Sequence, residues 1–147
     1  MRGLLVVTHG RFAEELVAAA RRIVGDLEGV EAVSIDWDDD VDRARELIEA
    51  GIGKLDLGDG VLILTDMFGG TPTNIALSLV DPGRVEIVTG VNLPMLIKFT
   101  NIRGRLELHE SAARIAEQGR SSIHVASEIL ESRAVENAES GEDGGQP

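Results

Sequence analysis

An α/β fold with an open, mainly parallel sheet is predicted by two features of the sequence. Short apolar runs, among them Leu4-Leu5-Val6-Val7 and Val61-Leu62-Ile63-Leu64, have the composition of strands buried on both faces. Between the strands lie longer segments whose apolar residues recur at helical spacing, so strand and helix alternate as they do when helices cover both faces of a parallel sheet.

The first run is closed by Gly10 and forms strand 1. Phe12, Leu16, Ala20, Ile23 and Val24 then mark a helix over residues 12–24, stopped by Gly25. Val33 and Ile35 alternate with Ser34 and Asp36 in a weaker strand 2, placed at an edge. Asp39 or Asp40 can cap a second helix, whose apolar face is Val41, Ala44, Leu47, Ile48, Ile52 and Leu55.

Gly60-Val61-Leu62-Ile63-Leu64-Thr65 is strand 3. The turn Gly69-Gly70-Thr71-Pro72 follows, with Thr71 suited to the N-cap and Pro72 to the first position of a helix reaching about Leu79. Asp81-Pro82-Gly83 turns the chain into strand 4, Val85-Glu86-Ile87-Val88-Thr89. Residues 93–102 and 111–118 read as helical. Ile123, Val125 and Ile129 read as a late strand that needs an edge to pair with.

Composition bounds the chemistry. A chain of 147 residues with 43% apolar content has the length of one domain, taken as residues 1–130. Residues 131–147 are acidic and glycine-rich, which predicts a disordered tail. There is no cysteine, so disulfides, thiolate metal sites and cysteine nucleophiles are excluded. The opening apolar run is far too short for a signal peptide or a membrane span, and a cytoplasmic location is expected. A net charge of −12 disfavours nucleic acid and anionic membranes and favours basic protein partners.

Ligands of open α/β sheets sit beyond the carboxyl ends of the strands, where the strand order reverses. His9 closes strand 1 and Asp66 closes strand 3, which are neighbours at that point in a sheet ordered 2-1-3-4. Adjacent strands about 4.8 Å apart let the carboxylate reach the imidazole. It can fix the tautomer by accepting from one ring nitrogen, leaving the other free to attack. The Gly69-Gly70-Thr71-Pro72 turn opens a helix beside the pair, a setting that favours an anion.

Each feature also has a plainer use. A histidine at a strand end can be an ordinary hydrogen-bonded residue, Asp66 can cap a turn, and the glycines can merely start a helix. Their coincidence at one sheet edge is what points to chemistry. His109 and His124 lack such a setting and are read as structural. The acidic run from Asp36 to Asp42 begins like a calcium loop, but Val41 stands where glycine is needed and Leu47 where glutamate is. No metal or other cofactor is therefore expected. Dinucleotide, P-loop and Gly-x-Ser-x-Gly motifs are absent from the sequence.

Three blocks carry a family resemblance. Val6-Val7-Thr8-His9-Gly10, Leu64-Thr65-Asp66-Met67-Phe68-Gly69-Gly70-Thr71-Pro72-Thr73-Asn74 and Thr89-Gly90-Val91-Asn92-Leu93-Pro94-Met95-Leu96 resemble, in order and spacing, the mannose-family enzyme IIA component of the phosphoenolpyruvate-dependent sugar phosphotransferase system. The resemblance covers about residues 3–130. It implies a phosphoryl carrier in which His9 is phosphorylated, Asp66 orients it, and Gly69, Gly70 and Thr71 contact the phosphoryl group. It also implies that Phe68, Asn92 and Pro94 face partners, namely the carrier HPr as donor and an enzyme IIB component as acceptor.

Many members are homodimers in which a late strand joins the partner's sheet, which would give the segment around Ile123 to Ile129 its edge. Association with the membrane components of the system would go through such partners. Phe68 stands where members that transport mannose commonly carry Trp, and Thr71 where Ser is also found. The chain is read as a free-standing IIA. The phosphotransfer subunit of dihydroxyacetone kinase shares the fold but lacks the Gly-Gly-Thr-Pro turn. A regulatory module that reports phosphorylation state by binding other proteins is the alternative from a different functional class.

Overall fold

A computed structural model describes residues 2–140. Four strands, β1 (Gly3–His9), β2 (Val30–Ile35), β3 (Val61–Thr65) and β4 (Val85–Thr89), form one sheet of order β2-β1-β3-β4 in which every pairing is parallel. The predicted strand order holds, and β2 lies at an edge. The fully buried run from Leu4 to Val7 takes the centre of the sheet, as a strand without a polar face must.

Successive side chains of β1 and β3 feed two separate cores. Leu4, Val6, Leu62 and Leu64 pack with helices α1 (Phe12–Val24), α4 (Leu93–Ile102) and α5 (Leu108–Ser121), through residues such as Val17, Phe99 and Ile115. Leu5, Val7 and Ile63 point the other way, onto α2 (Val41–Leu55) and α3 (Thr71–Leu77), where Ile48, Ile52 and Ile75 meet them.

Local chemistry fixes the helix starts. The Asp40 side chain accepts from the Arg43 N–H at 2.7 Å and caps α2, while Asp39 instead accepts from the Asp36 N–H at 2.9 Å. α1 is held by Thr8 of the preceding strand, whose Oγ1 accepts from the Ala13 N–H at 2.6 Å. α3 differs from expectation: Gly70 takes the N-cap position, Thr71 and Pro72 are the first two helical residues, and the helix ends at Leu77.

At the end of the sheet opposite His9, the chain start is tied to later elements. Arg2 is 7% exposed, and its guanidinium donates to Ser111 Oγ at 2.8 Å. The Arg2 carbonyl accepts from Arg103 Nε at 3.0 Å, and the Arg103 guanidinium lies 5.1 Å from the Phe99 ring centroid.

The C-terminal reading needs correction. Residues 122–125 are not a strand, and Ala126–Glu139 form a helix, α6. Val125 and Ile129 are four residues apart, which suits a helical face as well as an alternating strand, and Ala126, Glu128, Leu130, Glu131, Arg133 and Ala134 are strong to fair helix formers. α6 buries none of its residues. Residues 131–139 of the predicted disordered tail are thus helical, and the rest of that tail beyond Ser140 lies outside the described residues. α5 is also longer than its predicted 111–118 core and takes His109 into its first turn.

Candidate active site

His9 is the last residue of β1, and Asp66 is the first residue after β3, its neighbour in the sheet. The two side chains meet: His9 Nδ1 lies 2.7 Å from Asp66 Oδ2. The same Oδ2 accepts from the His9 backbone N–H at 2.9 Å, and Oδ1 accepts from the Met67 N–H at 3.0 Å. Two backbone donors therefore hold the carboxylate, and the carboxylate holds the ring. An ionised carboxylate can only accept, so in the neutral imidazole Nδ1 carries the ring proton and Nε2 has the lone pair.

Nε2 faces the glycine turn. A Cβ built on Gly70 would stand 3.0 Å from His9 Cε1 and 3.2 Å from Nε2, and Gly70 has a φ of +83°, so both space and backbone conformation demand glycine. Gly69, with φ +87°, belongs to the same turn, and exposed Thr71 follows it into α3. Behind the turn, buried Thr73 bonds Thr65 Oγ1 at 2.8 Å and donates to the Met67 carbonyl, which fastens the loop to the end of β3. α3 has only seven residues, so the local N–H groups of the turn matter more here than a long helix dipole.

Two supporting residues were missed from sequence. Thr73 is one, hidden within a quoted motif without a role. The other is Trp37, whose ring stacks on His9 with centroids 5.1 Å apart and planes 23° from parallel. A signal was available: β2 neighbours β1 with Ile35 in register with His9, so the residues just after Ile35 must arrive beside the histidine.

The three residues expected to face partners line two different grooves. Phe68, 75% exposed, and Asn92 line a groove of about 490 Å³ that runs along β4 and α5 and has neither His9 nor Asp66 among its lining residues. Pro94 lines a separate groove with Ile23, Leu93 and Ile97. The Asn92 side chain has structural partners: Oδ1 accepts from the Met95 N–H at 3.3 Å, and Nδ2 donates to the Gly119 carbonyl at 3.1 Å, joining α4 to α5. His109 pairs with Glu86 on the surface, and His124 is exposed in the 122–125 connection.

Comparison with known proteins gives the family. The family model described as "PTS system fructose IIA component" (EIIA-man) matches residues 3–116. The PTS system mannose-specific EIIAB component of Escherichia coli (strain K12) is 32% identical over 92% of the chain, which spans 41% of that relative's length. The fructose-specific EIIA component of Bacillus subtilis (strain 168) is 28% identical, with 97% of this chain and 99% of the relative covered. The mannose/sorbose specific IIA subunit of Enterococcus faecalis superposes with a TM-score of 0.75 at 29% identity, covering 84% of this chain and 93% of the other. With its sheet order, its three sequence blocks and these matches in accord, the chain belongs to the EIIA-man family of phosphotransferase-system IIA components.

Proposed function

We propose that this chain is a phosphoryl carrier in which His9 Nε2 accepts a phosphoryl group from phospho-HPr and passes it to a histidine of an enzyme IIB component. The observation that carries the reading is the 2.7 Å contact between His9 Nδ1 and Asp66. It commits one ring nitrogen to the carboxylate and leaves the other as the nucleophile.

In the forward step the Nε2 lone pair attacks phosphorus, the N–P bond of the donor histidine breaks, and its electron pair returns to the donor ring. His9 then carries the phosphoryl group on Nε2 and a proton on Nδ1, and Asp66 balances the positive charge this puts on the ring. Gly69, Gly70 and Thr71 supply backbone N–H groups and a hydroxyl to the phosphoryl oxygens, a preorganised polar cradle that costs no rearrangement during transfer. No proton leaves the site, so the reverse of the same step delivers the group to the acceptor.

The acidic surface supports basic protein partners in the cytoplasm, and no helix among the described residues is long and apolar enough to cross a membrane. Relatives named for mannose and for fructose match to similar degrees, as suits a domain that handles only the phosphoryl group. The reading includes a homodimer. β4 has an open outer edge among the described residues, the groove beside it is lined by Ile87, Ala112, Ala116 and Ile123, and α6 leaves Leu130 and Val135 exposed.

Incubation with phosphoenolpyruvate, enzyme I and HPr should add one phosphoryl group by intact mass, and a IIB protein should then remove it. No mass gain would overturn the carrier role. Gain without delivery to any IIB would favour a regulatory reporter. Light scattering showing a monodisperse monomer would remove the dimer.

A further inference from the structure

We propose that Trp37 is a positioning residue for His9, and that the acidic loop after β2 exists to present it. Trp37 is the sole tryptophan of the chain and is 77% exposed, yet its ring stacks on the imidazole at 5.1 Å. An indole so open to water gains little from burial, which leaves the histidine contact as its evident use.

The loop is built rather than slack. The Trp37 N–H donates to Asp36 Oδ1 at 2.9 Å, the Asp36 N–H donates to Asp39 Oδ2 at 2.9 Å, and the Asp39 N–H donates to the Asp36 carbonyl at 3.0 Å. Its base is fixed to the site by the Gly10 N–H, which donates to the Ile35 carbonyl at 2.9 Å. The run that begins like a calcium loop thus uses its carboxylates to close a turn and cap α2.

The physical need follows from what the other contacts leave free. Asp66 fixes one ring atom and Gly70 bounds one ring edge, but neither prevents the ring from tilting out of plane about the Nδ1–Oδ2 line. Trp37 covers a face and removes that tilt. As Nε2 bonds to phosphorus the ring takes on positive charge, and the face of the indole attracts a cation more than a neutral ring. The contact therefore strengthens toward the transition state instead of merely stabilising the resting site.

This inference rests on the proposed carrier function, so its test uses two donors. Phospho-HPr brings a protein surface. Phosphoramidate brings only a P–N bond, which breaks as the Nε2–P bond forms and whose nitrogen leaves as ammonia after taking a proton. Trp37→Ala should slow transfer by about tenfold from both donors, mainly in kcat, and Trp37→Phe should return to within about threefold of wild type. The ring-current shift of the His9 Cε1 proton in NMR should vanish in Trp37→Ala.

If Trp37→Ala raises only the KM for phospho-HPr and leaves the phosphoramidate rate unchanged, Trp37 is a docking contact and the inference is wrong. An unshifted Cε1 proton in wild type would also overturn it. If wild type accepts no phosphoryl group from either donor, the carrier function itself fails, and the positioning role with it.

Discussion

Among the described residues two histidine–carboxylate pairs are present, and they differ in how they are supported. His9 and Asp66 meet at 2.7 Å with side chains 21% and 14% exposed, at the ends of adjacent central strands. His109 and Glu86 meet at 3.2 Å with His109 87% exposed, between the first turn of α5 and the edge strand β4. The same two functional groups are present, but their supports differ. Asp66 is held by the N–H groups of His9 and Met67, and the far side of the imidazole is bounded by Gly70 and Trp37. The surface pair has water around it, and a screened contact neither fixes a tautomer nor orients a lone pair.

The strongest test of this contrast is to remove each histidine. His9→Ala should abolish labelling by phospho-HPr, whereas His109→Ala and His124→Ala should be labelled like wild type by intact mass. Labelling of His9→Ala would exchange the roles of the two pairs or introduce a third site.

Changing the carboxylate sharpens the comparison. Asp66→Asn can still hold the ring but cannot balance its charge, and its amide can favour the wrong tautomer. Transfer should slow by more than about tenfold, equivalent to about 1.4 kcal/mol in barrier, with little change in Tm. A wild-type rate in quenched-flow experiments would reduce Asp66 to a turn cap. The matching Glu86→Gln change should leave the transfer rate within about twofold and alter stability by at most about 1 kcal/mol, as for other exposed pairs.

Between these lies Gly70→Ala. The added methyl would press on His9 Cε1 and Nε2 and force a side chain into the left-handed region. It should cost about 1–3 kcal/mol in a thermal or denaturant melt and slow transfer several-fold. Unchanged transfer would mean that the turn does not crowd the reacting nitrogen in solution.

The sheet was legible because continuous apolar runs such as Leu62-Ile63-Leu64 have few other places to go than a doubly covered strand. The His9–Asp66 pair followed from that order alone, since topology delivers strand ends to one edge wherever the loops run. What the sequence hid depends on loops and on unpaired segments. Trp37 reaches the histidine through a turn closed by Asp36 and Asp39, a geometry that an acidic run does not announce. Residues 122–125 showed an alternation too short to outweigh the helix formers after Ala126. Asn92, expected from the resemblance to face partners, also has a structural use that the sequence did not announce: its side chain joins α4 to Gly119 of α5.

The central place of β1 has a consequence for how the molecule is made. The earliest of the four strands to emerge needs neighbours on both edges: β2 arrives after one helix, but β3 only when Val61–Thr65 has emerged. Until then one edge of Leu4–Val7 stands open, and the seal at its base waits longer still, for Arg103 and Ser111 to reach Arg2. Such separated pairings fold slowly and leave apolar strand edges exposed to other chains. Nascent chains cut short before β3 should therefore be chaperone clients, while those that include α5 should fold and be released.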